Sequence, residues 1–362
     1  MKRRLNNKIL KAVQKGFNGG LSNYDLTVLE DDDSVLVKNN IYKHQSAYDD
    51  LIDRLSEFLD DDKMFKSTVE KINLLNKQYQ VKNKGELILL IDKSIEVFGN
   101  ECDLNWLDTS YITDMSYLFY EMVDFNGHIE NWDVSNVENM NHMFNHAESF
   151  NQPIGDWDVS NVKNMSFIFW YAKSFNQPIG NWNVSNVKDM HNMFRNARSF
   201  NQPIGDWDVS NVENMSYMFF SATSFNQSIE DWNVSRVENM CSMFRYAFLF
   251  NQPLNKWNVS NVKDMGSMFN GAASFNQTIS NWDVSNVKSM NHMFSYAESF
   301  NQPIGNWDVS NVEDMGFMFY FTKFFNQPLN NWNVIKVKTK HYIFDTCPIK
   351  EEYKPIFKNN EE

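Results

Sequence analysis

The chain has 362 residues, 22% of them charged, and a formal net charge of −13 at neutral pH. That balance argues against a general binder of nucleic-acid backbones, which needs a basic stripe to displace counterions. Cys102, Cys241 and Cys347 are odd in number and show no C-x-x-C spacing, so they suggest neither a disulfide framework nor a zinc site and fit a reducing compartment.

Residues 1–83 carry no repeat. The basic stretch at the amino terminus is interrupted by Asn6, Asn7, Lys8 and Lys11, which leaves no apolar core for a secretory signal. No segment approaches the roughly 20 apolar residues of a membrane span. A cytoplasmic location is the expectation on those grounds. Leu5, Ile9, Leu10 and Val13 fall at helical spacing. Leu26–Leu29 and Val35–Val37 flank the acidic stretch Glu30–Ser34 as two short strands around a turn, which lacks the glycine and distal glutamate of a calcium loop. Ser46 caps an amphipathic helix reaching Leu59, and a shorter helix is predicted over Thr68–Gln78. Asn83 with Glu86 resembles a capping box, and Gly99 stands where the helix between them stops. This capping helix and a lead-in strand, residues 84–106, would seal the first coil of a repeat array.

From 107 to 348 the chain repeats. Trp132, Trp157, Trp182, Trp207, Trp232, Trp257, Trp282, Trp307 and Trp332 step by 25 residues without an insertion, the mark of a solenoid. Leu107 occupies the slot before Trp132, giving about ten coils. The last is degenerate, with Ile335, Lys336 and Lys340 in place of the usual Ser, Asn and Met, as expected of a cap. Residues 349–362 form a tail that is expected to be mobile.

Within one coil, Ile154-x-x-Trp157-x-Val159 alternates like a short strand, while Val162, Met165, Phe169 and Ala172 step like one face of a helix. The expected unit is therefore a short parallel strand plus a short helix, an α/β solenoid with a mainly helical N-terminal cap region. Pro153, Pro178, Pro203, Pro253, Pro303 and Pro328 mark one corner. Asn136, Asn161, Asn186, Asn211, Asn261, Asn286 and Asn311, interrupted by Arg236, form one predicted amide ladder between coils, and Asn151-Gln152 and its successors another. The tryptophans could stack on sugars, but their strict repetition between polar neighbours assigns them to the core.

The motif Phe-Asn-Gln-Pro-Ile-Gly-x-Trp-Asp-Val-Ser-Asn-Val-x-x-Met-x-x-Met-Phe, with its lead-in Lys84-Gly-Glu-Leu and Asp108-Thr-Ser-Tyr-Ile-Thr-Asp-Met-Ser, resembles the BspA-type leucine-rich repeats of bacterial surface proteins over about residues 84–348. The resemblance implies a right-handed solenoid with a parallel sheet on one face and helices on the other. It also implies adhesion or host interaction at a cell surface.

Almost every polar residue recurs in each coil, which disfavours a unique catalytic constellation, and no cofactor or metal site is expected. Asp133, Asp158, Asp208, Asp283 and Asp308 could supply paired carboxylates for acid–base work or carbohydrate binding. Exchange with Asn183, Asn233, Asn258 and Asn333 at the same slot favours a hydrogen-bonding ladder instead. His142 and His146 are four apart, as metal ligands on a helix can be, without a general base between them. Specificity is expected where coils differ: Phe167, Trp170, Tyr171, Arg195, Arg198, Phe317, Tyr320 and Phe321, with Tyr117, Tyr120, Tyr217 and Phe220 at related slots. Aromatic and arginine side chains dominate binding hot spots. The competing reading is that they only pack between neighbouring coils. The sequence thus points to a non-catalytic scaffold that binds a protein partner, with a carbohydrate-binding or carbohydrate-cleaving solenoid as the alternative.

Overall fold

The computed structural model describes residues 59–357 and, before them, four two-residue strands. The chain divides into two compact units, Met1–Lys77 and Gln78–Glu362. In the first, β1 (Tyr24–Asp25) pairs antiparallel with β4 (Lys38–Asn39), and β2 (Val28–Leu29) with β3 (Ser34–Val35), nested on either side of the acidic stretch. The helices expected from Leu5 to Val13 and from Ser46 lie outside the described residues but for Leu59.

Helix α1 runs Asp62–Leu74, earlier than the predicted Thr68–Gln78. The Asp61 carboxylate accepts from the N–H groups of Lys63 and Met64, at 2.9 and 3.2 Å, and Asp62 adds negative charge to the first turn. The acidic run of Asp60, Asp61 and Asp62 is therefore a helix start.

In the second unit, β5 (Tyr79–Gln80) pairs in parallel with β6 (Leu107–Asp108), and α2 spans Lys84–Phe98. Asn83 Oδ1 accepts from Glu86 N, while the buried Glu86 carboxylate reaches back to Lys82 N and the Tyr79 hydroxyl, each at 2.8 Å. Lys84 Nζ then ties the start of α2 to the first coil through Asp114 and Ser116, at 2.9 and 2.7 Å.

The coils beyond α2 contain no helix among the described residues, which corrects the expected strand-plus-helix unit. Over Met140–Ala147 the backbone is a run of tight turns. Met143, Asn145 and Ala147 donate to the carbonyls three residues back, at 3.0–3.2 Å. The intervening Met140, His142, Phe144 and His146 donate across to Asn164, Ser166, Ile168 and Trp170 of the next coil, at 2.7–3.1 Å. His142 and His146 have φ of +57° and +58°, and equivalent residues repeat this in every coil from Tyr117 to Thr346. A helix cannot contain such residues, because left-handed φ turns each second N–H outward to the neighbour. The 3-4-3 apolar spacing is real, since Met165, Phe169 and Ala172 are buried, but linked turns satisfy it as well as a helix does.

The parallel ladder also lies elsewhere than expected. Parallel bridges run Asp114–Asn139–Asn164–Asp189 and onward to Thr339, and not through the Trp-x-Val segment. On the tryptophan side the coils are joined by side chains. Trp182 Nε1 donates to Ile154 O at 3.0 Å, Asn186 Nδ2 to Ser160 O at 2.7 Å, and Gln177 Nε2 to Asn151 O at 2.9 Å. The tryptophans are core, 2–5% exposed at the repeated slot.

Coil spacing widens steadily across the stack. Ring centroids are 4.2 Å apart for His142 and Phe167 outside the ladder, 5.6 Å for Phe144 and Phe169 just inside it, 6.1 Å for Phe150 and Phe175, and 6.5 Å for Trp182 and Trp207. Parallel backbones hydrogen-bonded at about 4.8 Å fall at the narrow end of this series. The array therefore fans, with the ladder on its concave side and the tryptophans on its convex side.

The start of the tail is not loose, against expectation. Tyr353 O accepts from Leu329 N at 2.8 Å, Asn326 Oδ1 accepts from Lys350 N at 3.1 Å, and Ile349 and Pro355 are buried. The last coil would otherwise leave the apolar edge around Phe344 uncovered, and Lys354 Nζ lies 5.8 Å over that ring.

Candidate interaction face

Two columns of outward side chains flank the ladder, and they are where the coils differ. Tyr117, His142 and Phe167 stack at 4.6 and 4.2 Å, and His146 stacks on Tyr171 at 4.4 Å. His142 is buried in its column, and burial, then the charges of His191 and His146, push its pKa down to about 3. Asn145 sits between the two imidazoles, its amide 2.7 Å from His142 Nδ1 and 2.6 Å from His146 Nδ1, so the pair engages an amide and not a shared point.

The predicted contact residues are brought together in two groups. In the first, Phe167 packs 5.3 Å from Trp170, and Trp170 lies 5.9 Å from Tyr171. The Arg195 guanidinium stands 5.0 Å over Trp170, 5.4 Å over Tyr217 and 4.8 Å over Phe220. Arg198 is exposed on the same coil. In the second group Phe317, Tyr320 and Phe321 join His292, Tyr296 and Tyr342, with Phe317 4.6 Å from His292 and Phe321 5.2 Å from Tyr296. Ser267, Asn270 and Gly271 separate the groups. Gly271 has φ +68°, and a Cβ there would lie 2.4 Å from the Tyr246 ring that crosses it. These side chains do pack on their neighbours, yet all but Phe167 remain partly open to solvent.

Sequence reasoning missed four residues beside the first group, Arg245, Tyr246, Phe248 and Leu249. Arg245 lies 5.6 Å over Phe220 and 5.0 Å over Tyr246, and Tyr246 is 6.2 Å from Phe248. Phe248 and Leu249 are 46% and 55% exposed. The offset that links Arg195 to Phe220 links Phe220 to Arg245, and following that column would have found it. Trp170 Nε1 and Arg245 Nε are buried without an acceptor, each a cost of about 1–3 kcal/mol.

The convex side offers different chemistry. Each carboxylate of the Asp133 column is engaged by its own turn: Asp158 accepts from Ser160 N at 3.0 Å and Asp308 from Ser310 N at 3.0 Å, and Asn183 does the same to Ser185 N at 3.2 Å. The serine side chains of Ser160, Ser210 and Ser310 first, and then these N–H groups, hold Asp158, Asp208 and Asp308 below the usual carboxylate range, away from what a general acid needs.

Residues 93–204, 177–274 and 250–354 each match the family described as Mycoplasma protein of unknown function, DUF285. The chain belongs to this family. Its three overlapping matches cover the array, so the DUF285 character resides in the coils and their tandem repetition. No curated protein matches the chain. Among the described residues, no helix of this DUF285 protein is long and apolar enough to cross a membrane.

Proposed function

We propose that the array is a non-catalytic scaffold that binds another protein along its concave face. The observation that carries this reading is the concentration of non-repeating aromatic and arginine side chains beside the ladder, while the convex side repeats almost unchanged. Concave surfaces of solenoids are the extended binding surfaces of repeat proteins. The resemblance to BspA-type repeats supports the same proposal and adds right-handed coiling and adhesion to it. Affinity capture from the native cell with the unaltered protein and with Trp170→Ala/Tyr171→Ala, followed by mass spectrometry, tests it. A partner retained by the first and lost by the second, at unchanged circular dichroism, is the expected outcome; equal capture by both removes this face.

A further inference from the structure

Lysines on this array are mostly neutralised across one coil step. Lys163 meets Glu138, Lys173 meets Glu148 and Lys263 meets Glu238, at 2.6–2.7 Å. The arginines follow another rule. Arg198 and Arg245 form no ion pair with any carboxylate among the described residues. Arg195 and Arg245 belong to coils on either side of Phe220, and their guanidinium carbons stand 4.8 and 5.6 Å from that one ring. Arg245 also makes itself felt along the face, since its charge helps to depress His292 after burial has done so. A protein of net charge −13 thus gathers cations on a concave aromatic surface, two of them with no carboxylate counter-ion among the described residues. Beside them, Phe248 and Leu249 form an exposed apolar step.

We propose that the surface from Trp170 to Leu249 binds an acidic, extended segment of a partner protein, with carboxylates on Arg195, Arg198 and Arg245 and an apolar side chain on Phe248 and Leu249. Planar guanidinium groups already held on aromatic rings are pre-organised for bidentate carboxylate binding. The charge of Arg198 and Arg245, paired with no carboxylate among the described residues, is what gives the partner's acidity its selectivity. Tyr171 and Tyr217 border the same segment. This rests on the concave face being an interaction face and names the chemistry of its partner.

The test uses the full chain and a short fluorescein-labelled peptide alternating glutamate with leucine, followed by fluorescence anisotropy. A lysine–leucine peptide and a sulfated oligosaccharide serve as competing probes. The glutamate peptide is expected to bind saturably and to weaken as salt rises. Arg245→Glu and Arg198→Glu should each weaken it about tenfold or more, Phe248→Ala several-fold, and Arg236→Glu, which lies on the convex amide ladder, not at all. Arg198 is exposed, so its substitution reads binding and not folding. Absence of saturable binding, equal binding by Arg198→Glu, binding of the lysine peptide, or preference for the sulfated oligosaccharide would each overturn the acidic-segment proposal. If the captured partner still depends on Trp170 and Tyr171 while the glutamate peptide fails, the interaction face stands and only its acidic chemistry falls.

Discussion

Trp182, Trp207 and Trp232 are interchangeable: each is buried, each donates its indole N–H to the carbonyl 28 residues earlier at 3.0 Å, and each stacks on the next. Across the coil, Phe167, Asn192 and Tyr217 share one slot and one conformation, φ of +57° to +59°, yet differ in size and polarity. On the convex side the side chain is the bond between coils, so its identity is fixed. On the concave side the backbone makes the bond and the side chain is left over. Left-handed φ costs a non-glycine residue on the order of 1–2 kcal/mol, and here the neighbouring coils hold it in place whatever the residue. Freedom to vary is therefore confined to the face with the backbone ladder.

That contrast is sharpest for the two kinds of tryptophan. Trp207→Ala should cost about 3–5 kcal/mol in urea unfolding, from lost burial and the lost indole hydrogen bond to the Ile179 carbonyl. Trp170→Ala, at a partly exposed ring on the concave face, should cost well under half as much; equal losses would erase the distinction.

His142 is a titratable concave residue that is buried like core. Its folded pKa, about 3, lies below the 6.5 of the unfolded group, so the unfolded chain binds more protons in that window. Stability should be fully present above pH 6.5 and fall as pH drops toward 3. His142→Phe should flatten that dependence in urea midpoints compared at pH 7 and 4.5. Next in size, Gly271→Ala should lower the melting temperature by the equivalent of about 1–2 kcal/mol, because φ is positive and the Tyr246 ring must move.

Acrylamide should quench little of the fluorescence, since the remaining ten of the eleven tryptophans are 2–5% exposed, and Trp170→Phe should remove the accessible part. The smallest effect belongs to the exposed rungs. Lys163→Ala, which breaks the pair with Glu138, should change stability by less than about 1 kcal/mol, measured at low salt.

The period, the core and the amide ladders were legible in the sequence, because each depends on one residue type returning at one offset. Asn186 and Gln177 make the inter-coil bonds that their repetition predicts. The turn-built coil was not legible. Val162, Met165, Phe169 and Ala172 have helical spacing, and the left-handed residues that exclude a helix are His, Tyr, Phe, Asn, Ser, Glu and Thr, with glycine among them only at Gly271. Glycine is the usual signal for that conformation, and here stacking replaces it. The same error placed the ladder under Trp157 and Val159 and so put the variable residues on the wrong kind of surface. The variability of Phe167, Trp170, Tyr171 and Arg195 was still visible, because variation within a strict repeat shows without knowing the fold; that Arg245 and Tyr246 adjoin them required the neighbours' positions.

Every bond that joins one coil to another reaches only its immediate neighbour, in the same register each time. Copying or losing a whole unit through unequal recombination would leave the backbone and indole bonds of each surviving junction in the pattern of those on either side. An insertion of any other length would put indoles against asparagines at once. Such a gene can lengthen or shorten its product in discrete steps, shuffling new concave residues into use while the fold acts as a ruler that accepts only whole marks.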